Sequence, residues 1–100
     1  MASTPVQFEA PTGLTLHAEL YPFGSDVIAN TAGGDSATEK TNMKGLYEIT
    51  VTEAITGLHN VSVQDASNNV IATYVVDIVA DDTATYRCGD FVERLNTNLD

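Results

Sequence analysis

The side chains that could carry nucleophilic or metal chemistry are few in this chain and far apart in its sequence. The only histidines are His17 and His59, and the only cysteine is Cys88. Nucleophilic catalysis needs a serine, threonine or cysteine beside a base that a third group orients. No Gly-x-Ser-x-Gly elbow occurs, and a zinc site built from these three residues would lack the usual short-spaced ligand pair. The sequence therefore predicts that the protein is not an enzyme and uses no cofactor.

One acidic cluster could hold a different kind of metal ion. Asp77, Asp81 and Asp82 supply carboxylate oxygens, which calcium prefers as ligands. Their spacing is unlike that of a helix-loop-helix calcium loop. We therefore take them as candidate calcium ligands, while solvated acids at the end of a strand are the favoured interpretation.

The charge balance bears on the partners of this protein. The chain has fourteen acidic and four basic residues and a formal net charge of −10. Such a surface repels phosphate backbones and anionic lipid, so we expect no nucleic-acid partner. No apolar run approaches the ~20 residues that cross a bilayer, so we expect no membrane insertion. Other domains or proteins are the expected partners.

Two alternating stretches in the middle of the chain predict a pair of strands. Residues 45–51 and 57–63 each begin with a glycine and then alternate, which gives each strand one face toward the core. The core faces are predicted to consist of Tyr47, Ile49 and Val51 in the first strand and of His59, Val61 and Val63 in the second. His59 is therefore expected to be a buried, hydrogen-bonded residue.

Alternation elsewhere predicts several more short strands. The predicted strands cover residues 6–10 at an edge, 14–20, a weak run at 27–29, a polar edge at 36–41, an apolar run at 70–78, and 83–87. The strand at 70–78 is apolar on nearly both faces, so it should sit centrally or have its outer face covered. Turns every 8 to 12 residues and the lack of a long helix predict an all-β, antiparallel, two-sheet sandwich of about seven strands. A small barrel is the alternative that periodicity leaves open.

The last residues differ in pattern from the rest. Residues 1–89 are assigned to the sandwich domain, and residues 90–100 to a tail. Phe91, Leu95 and Leu99 recur at helical spacing after Asp90, which predicts one or two helical turns. Residues 96–98 are poor helix formers, so a frayed tail or a linker is as well supported as the helical turns.

Two motifs in the central stretch together resemble a known family. Residues 42–47 read Asn-x-x-Gly-x-Tyr, and residues 57–63 read Gly-x-His-x-Val-x-Val. This combination resembles the signature of carboxypeptidase-regulatory-like domains, which are transthyretin-like seven-stranded sandwiches; immunoglobulin-like sandwiches are the related alternative. The match covers about a quarter of the chain, and His59 replaces the commoner tyrosine of that family.

The resemblance implies structural roles and transfers no catalytic residue. Asn42 is expected to cap a turn through its side chain, Gly45 and Gly57 to free the backbone, and Tyr47 to fill the core. It implies a non-catalytic spacer or protein-interaction module of a larger surface, extracellular or virion-associated protein. A carbohydrate- or calcium-binding module is the alternative, using the loop at residues 33–34 and the acidic residues at 81–82.

Overall fold

The computed structural model describes residues 3–79 and 85–89. In these ranges the chain forms β-strands and no helix, so the all-β prediction is confirmed. The strands are β1 (Thr4–Glu9), β2 (Leu16–Pro22), β3 (Asp35–Ser36), β4 (Thr38–Glu39), β5 (Leu46–Val51), β6 (Gly57–Asp65), β7 (Val70–Ile78) and β8 (Tyr86–Arg87). No helix among the described residues is long and apolar enough to cross a membrane. The predicted helical turns at 90–100 lie outside the described ranges.

The strands form a two-sheet sandwich, as predicted. The described residues contribute four strands to each sheet where about seven in all were expected, and one pair, β1 with β8, is parallel instead of antiparallel. The first sheet has the order β4-β5-β1-β8, and the second has the order β3-β2-β6-β7. Long antiparallel ladders join β1 to β5, β2 to β6, and β6 to β7. The core lies between the sheets because the apolar residues of each long strand alternate toward it.

The alternation of the two central strands is observed as expected. The inward residues of β5 and β6 are all at most 2% exposed, namely Tyr47, Ile49, Val51, His59, Val61 and Val63. Phe8 of β1 stacks on Tyr47, with ring centroids 5.7 Å apart. The strand pair therefore supplies the centre of the core, and β1 and β2 pack their own apolar faces against it.

Short segments cross between the sheets on both sides of the sandwich. On one side only Ala37 separates β3 in the second sheet from β4 in the first, and its N–H donates to Leu16 O at 2.9 Å. On the other side β8 pairs in parallel with β1, and Gly89 exchanges two backbone hydrogen bonds with Val75 of β7. The two sheets are thus connected at both of their edges, which a small barrel would also show. Alternation of side chains alone therefore could not separate a sandwich from a small barrel.

One predicted strand position is wrong, and another holds only in its second form. The first strand, β1, is not at an edge, because β8 returns to pair with its free side. For residues 70–78 the sequence left two alternatives, a central position or a covered outer face; β7 lies at the edge of the second sheet, so the central position is wrong. Its outward residue Val75 is nevertheless only 4% exposed beside Gly89, whereas Val70 and Ile71 at its start are open. The covering of the outer face is thus confined to the later half of this strand.

The predicted weak strand at residues 27–29 is also wrong. Val27 is 72% exposed and belongs to no strand. The next polar residue, Asn30, is buried instead, and its side chain pairs with the backbone of β2. Its Oδ1 accepts from Leu20 N–H at 2.9 Å, and its Nδ2 donates to Ala18 O at 3.1 Å. One amide side chain thus supplies the hydrogen bonds that a neighbouring strand would have made.

Candidate functional site

The three residues considered for catalysis or zinc serve separate parts of the sandwich. His17 points outward from β2, with Nε2 3.1 Å from Gln64 Oε1. His59 points inward from β6, with Nδ1 3.0 Å from Gly57 O. Cys88 is buried beside β8, and this burial raises the pKa of its thiol to about 12. A protonated, buried thiol is a poor nucleophile at neutral pH.

The acidic cluster is only partly within the described ranges. Asp77 is exposed near the end of β7, whereas Asp81 and Asp82 lie outside those ranges. No group of three His, Cys, Asp or Glu side chains in residues 3–79 and 85–89 could hold a metal ion. The calcium set therefore stays a prediction.

Tyr47 ties the core to the loop between β1 and β2. Its ring is fully buried, and its hydroxyl donates to Pro11 O at 2.7 Å. The same oxygen accepts a hydrogen bond from Leu14 N–H at 3.0 Å. Tyr47 therefore fills the core, as the resemblance implied, and its hydroxyl also binds two backbone groups of the exposed loop between β1 and β2.

Glu39, and not Asn42, caps the turn before β5. The side chain of Asn42 is exposed and makes no hydrogen bond to the described residues. The Glu39 carboxylate accepts from Gly45 N–H at 2.8 Å, from Gly13 N–H at 3.0 Å and from the Thr12 hydroxyl. The expected role of Asn42 is corrected for a geometric reason: the edge strand β4 points a longer acidic side chain at both turns.

These three hydrogen bonds make the Glu39 contribution to stability depend on pH. They lower the pKa of Glu39 from 4.5 to about 2, with the Thr12 hydroxyl as the largest cause. A carboxyl with a lowered folded-state pKa stabilises the fold above its unfolded pKa, and this stabilisation is lost as the pH falls through the folded value. We therefore expect the free energy of unfolding, measured by urea denaturation, to fall between about pH 4.5 and about pH 2.

Matched variants separate Glu39 from the other acids in that experiment. Glu39→Gln should be less stable than the parent chain at pH 6 and should lose less stability on acidification. Asp26→Asn removes an exposed carboxyl that accepts no hydrogen bond from the described residues, so it is the control for loss of one negative charge and should cost less stability at pH 6 than Glu39→Gln. If the free energy of unfolding depends on pH equally in the parent and in Glu39→Gln, then Glu39 is not the carboxyl responsible for that dependence.

A concave surface lies beside the turn that Glu39 caps. Two neighbouring hollows of about 600 Å³ and 320 Å³ share Met43, Leu46 and Arg87 in their walls. Lys44 lines the larger hollow and Lys40 the smaller one. We call this surface the cation groove and define it by Lys40, Met43, Lys44, Leu46 and Arg87.

The cation groove combines apolar and positively charged groups. Leu46 faces outward from β5, yet it is only 6% exposed, whereas Met43 is 58% exposed. Lys40 Nζ lies 3.0 Å from Glu48 Oε1, and an Arg87 nitrogen lies 3.1 Å from a Glu9 oxygen. Both ion pairs are solvent-accessible, and such pairs contribute about 0 to 1 kcal/mol. Either cation can therefore leave its present carboxylate and pair with another one at little cost in stability.

The sequence interpretation missed this groove, although part of the signal was present. Lys40 and Lys44 are only four residues apart in the sequence, and both lie between β4 and β5. Arg87 joins them because β8 pairs in parallel with β1, which sets Arg87 beside Gln7 on the outer face. Alternation gives no indication of that long-range pairing.

Comparisons of this chain with models of known protein families, with characterised proteins and with solved structures give no match. The resemblance of residues 42–63 to carboxypeptidase-regulatory-like domains therefore stays a prediction from the motif.

Proposed function

We propose that this protein is a non-catalytic β-sandwich module that serves as a structural spacer or a protein-interaction domain. The observation that carries the proposal is that side chains able to take part in chemistry are engaged in holding the fold together. Tyr47, Glu39 and Asn30 hold loops and strand edges through multiple hydrogen bonds, and Cys88 is a buried thiol. These groups support a rigid scaffold whose function lies on its surface.

The resemblance of the central stretch supports the same proposal. Spacers and docking modules of larger surface, extracellular or virion-associated proteins are the roles implied by the carboxypeptidase-regulatory-like, transthyretin-like pattern. The buried Tyr47 and the positive φ angles of Gly45 and Gly57, at 89° and 95°, agree with structural roles for the motif positions. A carbohydrate- or calcium-binding module remains the alternative.

Unfolding experiments distinguish the two functions. For a scaffold, we expect one cooperative thermal transition whose midpoint is the same with calcium, with a chelator and with a panel of soluble glycans. A calcium site with a Kd of about 10 μM would instead add about 2.7 kcal/mol at about 1 mM calcium. That gain would raise the Tm by about 10 °C or more in a domain of this size. Such a rise, with either ligand class, would replace the scaffold proposal by the binding-module alternative.

A further inference from the structure

Three of the four basic residues of this acidic protein lie together on the described surface. Of the four basic residues in the chain, Lys40, Lys44 and Arg87 all line the cation groove, and the fourth, Arg94, lies outside the described ranges. The net charge of −10 makes the rest of the surface predominantly acidic. Glu9 also lines the larger hollow and pairs with Arg87, so the charged lining of the two hollows consists of three cations and one carboxylate. The groove therefore carries a net positive charge in a predominantly negative field, which favours an anionic group of limited extent.

The floor of the groove indicates that the ligand also has an apolar part. Met43 and Leu46 lie in both hollows, and Tyr74 contributes to the larger one. Methionine is a common residue of adaptable binding surfaces because its side chain is flexible and polarisable. Apolar groups at the centre with charged groups around them are the usual arrangement of a protein-binding site.

The turn that contains the floor residues Met43 and Leu46 is held in place by backbone hydrogen bonds before any ligand binds. Leu46 N–H donates to Met43 O at 3.1 Å, and Lys40 N–H donates to Leu46 O at 2.8 Å. Gly45 connects this turn to β1 through its carbonyl, which accepts from Ala10 N–H at 2.9 Å, and to Glu39 through its N–H. A turn fixed at both ends loses little conformational entropy on binding.

We propose that the cation groove docks an acidic, extended segment of a partner protein. Carboxylates of that segment would contact Lys44, Lys40 and Arg87, and an apolar side chain would lie on Met43 and Leu46. Lys44 makes no direct ion pair with the described residues, although its charge acts on the nearby Glu39 carboxylate. Its ammonium group can therefore receive a carboxylate of the partner without breaking an existing pair. This inference rests on the proposed function as an interaction module and names the chemistry of its partner.

A peptide fits these features better than a polyanion does. A nucleic acid or a long sulfated glycan would extend its charges beyond the groove and onto the acidic surface around it, where repulsion opposes binding. Those ligands would also leave the apolar floor without a matching group. A peptide can place one or two carboxylates beside a leucine or phenylalanine within the length of the groove.

The test is a titration of the ¹⁵N-labelled protein with synthetic peptides, followed by NMR. The probe alternates glutamate with leucine and phenylalanine, and its two controls replace all glutamates by glutamine or all apolar residues by serine. We expect saturable shifts at the amides of residues 40–46 and 87 with the probe. Binding should weaken about tenfold or more with each control peptide, and also when salt rises from about 0.05 M to 0.5 M.

Matched variants assign the binding to the groove. Lys44→Gln and Arg87→Gln should each raise the Kd of the probe peptide about fivefold or more. Ala54→Glu changes the net charge by the same single unit at an exposed loop position beyond the far end of β5, and it should leave the Kd within about twofold. Urea denaturation of each variant checks that it is folded.

Several outcomes would overturn the docking proposal. The absence of saturable shifts with the probe, equal weakening by Ala54→Glu and Lys44→Gln, or tighter binding of a sulfated oligosaccharide at the same amides would each do so. None of these outcomes would affect the scaffold proposal, which is contradicted instead by a rise of the Tm with calcium or a glycan. The two failures are therefore distinguishable.

Discussion

Replacing Tyr47 by alanine should lower the free energy of unfolding by about 3 to 5 kcal/mol, the usual range for removing a buried aromatic ring. The ring is 0% exposed and stacks on Phe8, with an interplanar angle of 6°. Its removal leaves a cavity between the sheets and also frees the loop that its hydroxyl holds. Urea denaturation followed by circular dichroism measures the change.

Tyr47→Phe divides that loss into its two parts. The phenylalanine keeps the ring and leaves Pro11 O and Leu14 N–H without their partner. Because Pro11 and Leu14 are exposed, water can replace the lost partner, and we expect a cost of about 0.5 to 1.5 kcal/mol, the usual net contribution of a hydrogen bond. A cost below ~1 kcal/mol for Tyr47→Ala would contradict the central place of this residue in the core.

The core could be predicted from the sequence because it depends on a local rule. Side chains alternate across a strand, so Tyr47, Ile49 and Val51 had to share a face whatever the other strands did. The same rule placed His59 with Val61. The two-sheet architecture followed from several such segments separated by turns.

The polar contacts that fix the loops could not be predicted in this way. Glu39 bonds to Gly13 across 26 residues, and Asn30 bonds to the edge of β2 across 10 residues. Both contacts depend on how β3 and β4 cross between the sheets, and alternation does not specify that crossing. The motif drew attention to Asn42 because it precedes the turn, whereas the side chain that reaches the turn comes from the neighbouring strand.

The candidate groove has the same origin in tertiary pairing. Its lysines belong to one turn and could be associated from sequence alone. Arg87 reaches the groove only through the parallel pairing of β8 with β1. Interaction sites that combine a local turn with a distant strand are therefore visible only once the sheet order is known.

Gly34→Ala should destabilise the fold much more than Gly33→Ala, although the two glycines are adjacent. Both have left-handed backbones, with φ of 89° and 85°, so each substitution carries the cost of about 1 to 2 kcal/mol for an L-residue in that region. An added Cβ at Gly34 would also lie 2.9 Å from Ala18 O and 3.0 Å from His17 Cδ2. This close approach to β2 is a tertiary contact that the pair of glycines in the sequence does not indicate.

The close approach should add about 1 to 3 kcal/mol at position 34, the usual cost of overpacking. At position 33 an added Cβ meets no atom of the described residues within 4 Å, so Gly33→Ala is the matched control for backbone strain alone. Urea denaturation of both variants measures the difference. The reason for the difference is that β3 begins at Asp35, opposite Ala18, which forces the preceding glycine against the backbone of β2. Equal destabilisation by the two substitutions would mean that β3 does not pair with β2 in this register.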